Sequence, residues 1–222
     1  MKLKKIAILA TLALGLIYST SFAQLAEGKI VYELNFPGME DNPQMAAMMP
    51  TEMTLTLKNN QYRMDMPSQM VSTIVIGDSK TKASTRLMEM MGRKTMIKSN
   101  EADDAKEIAA MPKSSMKLLD GTKTICGYTC KKAEITVEGQ TDKITVWYTP
   151  DITYSNSGAA RAMFKGIEGF LMDYSMIQKG ITIHFVAKSV KAEKVDDSVF
   201  ILPTGYTEMT QEQMMKSMGG MH

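Results

Sequence analysis

Apolar and polar positions along this chain alternate mostly with period two. From Glu27 onward Ile30, Tyr32, Leu34 and Phe36 take one side while Lys29, Val31, Glu33 and Asn35 take the other, which predicts a β-strand. Met53, Leu55 and Leu57 repeat the pattern, Asn59-Asn60 marks a turn, and Tyr62, Met64 and Met66 resume it, so 52–66 reads as a hairpin. The runs STIVIGDSKTKASTRLMEM, with a turn at Gly77-Asp78, and RKTMIKS continue the same text. Beyond 101–111 come KLLDGTKTI, KKAEITVEG, DKITVWYT, FLMDYSMI and ITIHFVAKSV, separated by Gly, Asp, Asn or Pro. This spacing predicts roughly ten strands in a large twisted antiparallel sheet, sandwich or barrel, and not βαβ units.

A few short helices interrupt the strands. In DNPQMAAMMP, Asn42 is a cap, Pro43 suits the first helical position and Pro50 is a stop, which leaves Met45, Met48 and Met49 on one face of a candidate lid. NEADDAKEIAAM has a cap at Asn100 and acids in its first turn. SGAARAMFKG is a weaker helix candidate, and Thr210 to Gln213 fits a capping box for a last helix that stops near Gly219.

The first residues change the setting. Lys2, Lys4 and Lys5 precede an uncharged apolar run from Ile6 to Ile17, and Ser21-Phe22-Ala23 follows it, the layout of a cleaved signal peptide over 1–23. A membrane span would need about 20 apolar residues. No cysteine follows the cut, so no lipobox is present, and no later segment reaches spanning length. The expected product is a periplasmic or secreted protein, with one β domain over 24–210 and a Met-rich helical tail over 211–222. With the three leader lysines set aside, 23 basic residues face 24 acidic ones, dispersed along the chain. No basic stripe exists to neutralise phosphates, which argues against nucleic acid as a partner.

Methionine is the compositional outlier, at 23 residues against eight Tyr, six Phe and one Trp. Its flexible thioether suits irregular apolar cavities and adaptable surfaces, and it is also a soft ligand for Cu(I).

From Gly121 to Tyr206 the segments ICGYTCKKAEI, ITVWYTPDI, FKGIEGFLMDY and KVDDSVFILPTGYTEMT resemble, in that order, exported Bacteroidetes proteins of the GLPGLI type and a related Met-rich family of unknown function. The name-giving hexapeptide is degraded to Gly166-Ile167-Glu168-Gly169-Phe170-Leu171, which favours the Met-rich neighbour. Those families look related to the LolA/LolB-type lipoprotein carriers. The resemblance implies a mainly β fold with a few short α-helices: a curved antiparallel sheet forming an incomplete, LolA-like barrel capped by helices, with an apolar cavity on its concave side. Fold alone does not assign a site.

Tyr32, Leu34, Leu55, Leu57, Ile74, Ile76, Val146, Ile183 and Phe185 supply an apolar sheet face, and Met45, Met48 and Met49 its cover; they are the candidate ligand-binding residues. Met88 and Met90 share one strand face and read as packing. In the tail, Met214, Met215, Met218, Met221 and His222 form the alternative, a soft-metal site for Cu(I) or Ag(I). Cys126 and Cys130 have an exported context that permits a disulfide. Along one continuous strand over 122–137 they stand ~13 Å apart, beyond bridging distance, whereas a tight bend or bulge at Gly127 brings them closer, so a disulfide stays open. His184 reads as an ordinary strand histidine. No nucleophile motif or phosphate loop surrounds it, so no enzyme activity and no cofactor are expected. The reading is a non-enzymatic monomer that binds an apolar small molecule or lipid, with peripheral contact to the envelope membrane or another envelope protein. The alternatives are a Cu(I)- or Ag(I)-binding envelope protein and a structural or partner-binding one.

Overall fold

The computed structural model describes residues 25–152, 159–178 and 180–219. The leader expected over 1–23 lies outside the described residues, as do Met221 and His222. Among the described residues no helix is long and apolar enough to cross a membrane.

The described chain is mainly β. Twelve strands form one sheet in the order β12-β6-β5-β4-β3-β2-β1-β11-β10-β9-β8-β7. They are β1 Glu27–Asn35, β2 Glu52–Lys58, β3 Gln61–Met66, β4 Val71–Asp78, β5 Ala83–Met90, β6 Arg93–Ser99, β7 Ser114–Ile125, β8 Tyr128–Val137, β9 Ile144–Thr149, β10 Phe170–Gln178, β11 Ile181–Ala192 and β12 Thr207–Glu208. All pairings are antiparallel except β12 on β6, which is parallel. Neighbours in space are mostly neighbours in sequence, and β1 with β11 joins two meanders at the centre. The result is a single open, curved sheet, an incomplete barrel whose two edges do not meet. Its long edge strand β7 is interrupted by a bulge between Leu119 and Thr122, a device that twists an exposed edge.

Four helices attend the sheet. α1 Pro43–Ala46 is a single turn capped by the Asn42 side chain, which accepts from the Met45 amide at 3.2 Å. α2 Glu101–Ala110 has a complete capping box between Asn100 and Asp103, and it touches α3 Ala159–Ala162. α4 Gln211–Gly219 opens with the reciprocal Thr210–Gln213 capping box at 2.8 and 3.1 Å. The expected caps at Asn42, Asn100 and Thr210 are thus all present.

The register shows which face is the core. Ile30 lies opposite Leu55, and Leu55 opposite Met64; Leu34 lies opposite Phe185, and Phe185 opposite Tyr174. On this concave face Tyr174 stacks on Phe185 at 4.9 Å, Phe164 meets Tyr174 edge-on at 5.4 Å, and Tyr32 meets both Tyr174 and Phe185 edge-on. The Tyr32 hydroxyl donates to the Leu171 carbonyl at 2.6 Å, so this buried polar group is satisfied. Each fully buried Leu or Ile here contributes about 2 kcal/mol.

The opposite face of β2–β6 is covered too. Val195 and Phe200, from the segment leading through a 3-10 turn at Asp197–Phe200, pack on Ile76 and Leu87 with Ile74 and Met96 around them. Lys58 and Arg63 pin that strap by donating to the Val195 and Val199 carbonyls at 2.7 and 2.9 Å.

Two expectations about turns need correction. Asp78 ends β4, and the turn lies at 79–82, where the Asp78 carboxylate accepts the Lys80 and Thr81 amides at 2.8 and 2.9 Å. Residues 122–137 are not one strand: Ile125 pairs with Tyr128, and Cys126-Gly127 form a two-residue hairpin turn with φ of 51° and 84°. Two successive left-handed residues define the type I′ geometry that suits antiparallel strands.

Candidate functional site

The expected cavity residues divide into three groups. Tyr32, Leu34, Leu55, Leu57, Val146 and Phe185 are buried to within 6% of full closure, and Ile183 packs against them half-buried. These side chains pack into the closed core. Ile74 and Ile76 are on the other face. Ile76 lies opposite Arg63 and Ile74 opposite Asp65, out of phase with Met64, and the 195–200 strap covers them. They do not belong to the concave surface, which corrects the expectation. Met45 and Met48 are exposed at 45% and 44%, Met49 is half-buried, and α1 buries no residue.

The concave face itself changes character along the sheet. At β2 it is closed by Met53, Leu55 and Leu57, exposed between 2% and 5%. One strand further on it opens. Met64 and Met66 on β3, Val71 and Val75 on β4, and Met88 and Met90 on β5 are all half-buried. The register brings them together: Met64 lies opposite Val75, Met66 opposite Thr73, Thr73 opposite Met88, and Val71 opposite Met90. Tyr62 begins this surface, its ring lying over Gly77, where a Cβ would stand 2.4 Å from the ring. Two arginines share the face, Arg86 between Val75 and the buried Ile97 and near the Asp104 carboxyl of α2, and Arg93 at the margin opposite Met90, both exposed. Above the Tyr62 end runs α2, whose Asp104 carboxyl is raised above its ordinary pKa by burial and by Glu107 and Asp103 beside it. Sequence reasoning placed Met64 and Met66 on a strand and took Met88 and Met90 as packing. The alternation carried the signal, but which face remains uncovered depends on strands far apart in sequence.

α3 closes the other end of the bowl. Arg161 donates from Nη2 to the Ile167 and Gly169 carbonyls at 2.5 and 2.9 Å, which folds the chain between α3 and β10 back on itself over buried Phe164. Burial lowers the pKa of this guanidinium, with Tyr174 and Tyr32 beside it opposing that shift.

Both cysteines are free thiols. Cys126 occupies the hairpin turn and its Sγ donates to the Ala187 carbonyl at 3.4 Å, while Cys130 is fully buried and burial pushes its thiol up to about 11. The disulfide that export permits is not formed in this structure. In the tail, Met214 is half-buried on α4; Met215 and Met218 follow on the same helix, and Met221 and His222 lie outside the described residues. His184 is held by Asp173, with 2.7 Å between Nε2 and Oδ1.

The described residues thus form an open curved antiparallel sheet with a capped concave side and an apolar surface left partly uncovered. The chain belongs to the family described as N-glycanase peptide, N-terminal domain, whose model matches residues 41–163. The segment resembling GLPGLI-type proteins overlaps that match over 121–163. Among solved structures, PNGF-II in its P21 crystal form superposes with a TM-score of 0.53 at 18% identity, covering 86% of this chain and 33% of that one. The present chain therefore spans about a third of the PNGF-II chain it matches. LprF from Mycobacterium bovis matches at 12% identity with a TM-score of 0.36, covering 83% of this chain and 93% of that one. A beta-barrel-like protein of domain of unknown function DUF1849 from Brucella abortus matches at 8% identity with the same score, covering 77% and 99%. No curated protein matches the chain.

Proposed function

We propose that this protein is a non-catalytic, exported binding module that holds an apolar ligand with an anionic head, such as a fatty acid or lipoprotein acyl chain, against the concave face of β3–β5. The observation that carries the reading is the half-buried surface of Met64, Met66, Val71, Val75, Met88 and Met90, continuous with the closed core but not covered by it. Thioethers on unbranched side chains adapt to a chain of variable shape, and dispersion contacts with such a surface need no fixed polar partner. Arg93 at the margin, and Arg86 within the same face beside Asp104, would supply cations for a carboxylate or phosphate. α1, with Met45 and Met48 exposed, follows β1 at the same end of the sheet as Met66 and Met90 and supplies further apolar cover. The expected organisation, a leader over 1–23, a single domain over 24–210 and a helical tail over 211–222, belongs to the same proposal. The glycanase named by the family is a larger protein, and its chemistry is not carried over to this chain.

A displacement titration tests the reading. A dansylated fatty acid bound to the protein should be released by oleate, and Met64→Lys and Met88→Lys should each abolish the signal, while Ile201→Lys, at a site 68% exposed elsewhere, should not. Unchanged binding in both lysine variants would remove the site.

A further inference from the structure

The outer face of β9–β11 carries a second, chemically different site. A groove of about 830 Å³ runs there, lined by Thr145 and Trp147 from β9, Asp173 and Ser175 from β10, and Thr182 and His184 from β11. On each strand these residues are two apart, and the register places Trp147 opposite Asp173 and Ser175 opposite His184, so they converge from three adjacent strands. The turn at 139–143, with Gln140 and Thr141, forms one wall. Asp173 is fixed at both oxygens: Oδ1 by His184 Nε2 and Oδ2 by Lys123 Nζ, each at 2.7 Å, with the carboxylate side chain only 13% exposed. Lys123 and Lys132 place their ammonium groups 5.6 and 5.8 Å from the centroid of the Trp147 ring and hold the indole in place.

The lining selects the ligand class. Two of the ammonium groups nearest the groove are already neutralised, Lys123 by Asp173 and Lys143 by Glu134 at 2.8 Å, and that of Lys132 lies over the Trp147 ring, so the lining presents no cluster of cations for a phosphate or sulfate. Hydroxyls, an amide, a carboxylate and an imidazole offer donors and acceptors in mixture, and an indole offers an apolar plate with a polar edge. Neutral polyols that present C–H faces on one side and hydroxyls around the rim match that mixture. The volume falls in the range of small-ligand sites, roughly 300 to 1,000 Å³. The geometry points to a binding site for a short neutral oligosaccharide in the Trp147–Asp173–His184 groove. It lies on the face opposite the methionine surface, so its failure leaves the acyl-chain reading untouched, and the reverse also holds.

Trp147 is the only tryptophan of the chain, which makes its emission a reporter of this groove alone. Titration with cellotriose, maltotriose and N,N′-diacetylchitobiose should give a saturable emission change for at least one of them. Asp173→Asn should weaken that binding about tenfold or more, because a hydrogen bond to a charged group is lost and His184 loses its anchor. A Gln140→Ala/Thr141→Ala variant, altered only on the exposed turn, should weaken it as well, and this keeps the test valid if Asp173→Asn fails to fold. No response to any of the three sugars up to about 10 mM, where even millimolar affinities register, would overturn the proposal. So would a response to inorganic phosphate equal to that for sugars, or wild-type affinity in the turn variant.

Discussion

Arg161 offers the sharpest test of how the concave side is capped. One nitrogen of its guanidinium serves two carbonyls, those of Ile167 and Gly169, at 2.5 and 2.9 Å. Replacing it by alanine leaves both acceptors without their charged donor. A hydrogen bond to a charged group contributes roughly 1.5–3 kcal/mol. Arg161 is only half-buried, so water recovers part of that loss, and the expected cost of Arg161→Ala is about 2–3 kcal/mol. Arg161→Lys keeps a charged donor, but on a shorter and more flexible stem without the pre-organised guanidinium plane, so it should lose about half as much. Urea unfolding followed by Trp147 emission reads the difference. With a slope of about 2 kcal/mol/M, the alanine variant should shift the midpoint by about 1–1.5 M. A midpoint within about 0.2 M of wild type, or a lysine variant no better than alanine, would refute the reasoning.

Three further outcomes follow from particular residues. A Cβ on Gly28, at φ 154°, would stand 2.2 Å from the Lys191 carbonyl oxygen across the central β1–β11 pair, whereas one on Gly38, at φ 87°, meets nothing within 4 Å. Gly28→Ala should therefore cost about 3 kcal/mol or more and Gly38→Ala about 1, measured by the same unfolding assay. Cys130 titrates at about 11 because burial disfavours the thiolate. Its folded pKa lies above its unfolded one, so the folded state keeps the proton longer; the stabilisation is complete below about pH 8.5 and is lost as pH rises through the folded value. The stability gap between wild type and Cys130→Ala should narrow over that window, and a constant gap would argue against a buried neutral thiol. For the methionine tail, Cu(I) competition titration of the full chain and of a chain ending at Thr210 should give equal, weak affinities; clearly tighter binding by the full chain would establish the alternative metal site.

Most of the architecture was legible because strands covered on one face write their period into the sequence. β1, β2 and β3 were readable from Ile30 to Met66 for that reason, and the helix starts at Asn42, Asn100 and Thr210 from their capping side chains. The errors have physical causes. Ile74 and Ile76 are as apolar as Leu55 and Leu57, but the Val195–Phe200 strap buries them from the convex side. Alternation shows that a face is covered, not what covers it. Cys126-Gly127 looked like strand because the residues around it alternate, although a glycine is also what the second central position of a type I′ turn favours. The parallel β12 has only two residues and no periodicity to detect. Site residues were harder to read. Trp147, Asp173, Lys123 and His184 come from four different strands, and only the register unites them. The open half of the concave face became recognisable only when the closed half was seen to be filled by Tyr32, Tyr174, Phe164 and Phe185.

The central claim is that the uncovered methionine surface of β3–β5 holds an acyl-bearing molecule. Native mass spectrometry of the protein recovered from its producing cells, beside the Met64→Lys/Met88→Lys variant, tests it most directly. The wild type should carry an added mass released on activation as a lipid or fatty acid, and the folded variant should carry none. Apo-protein alone across repeated preparations of the wild type, or the same added mass on both proteins, would contradict the account.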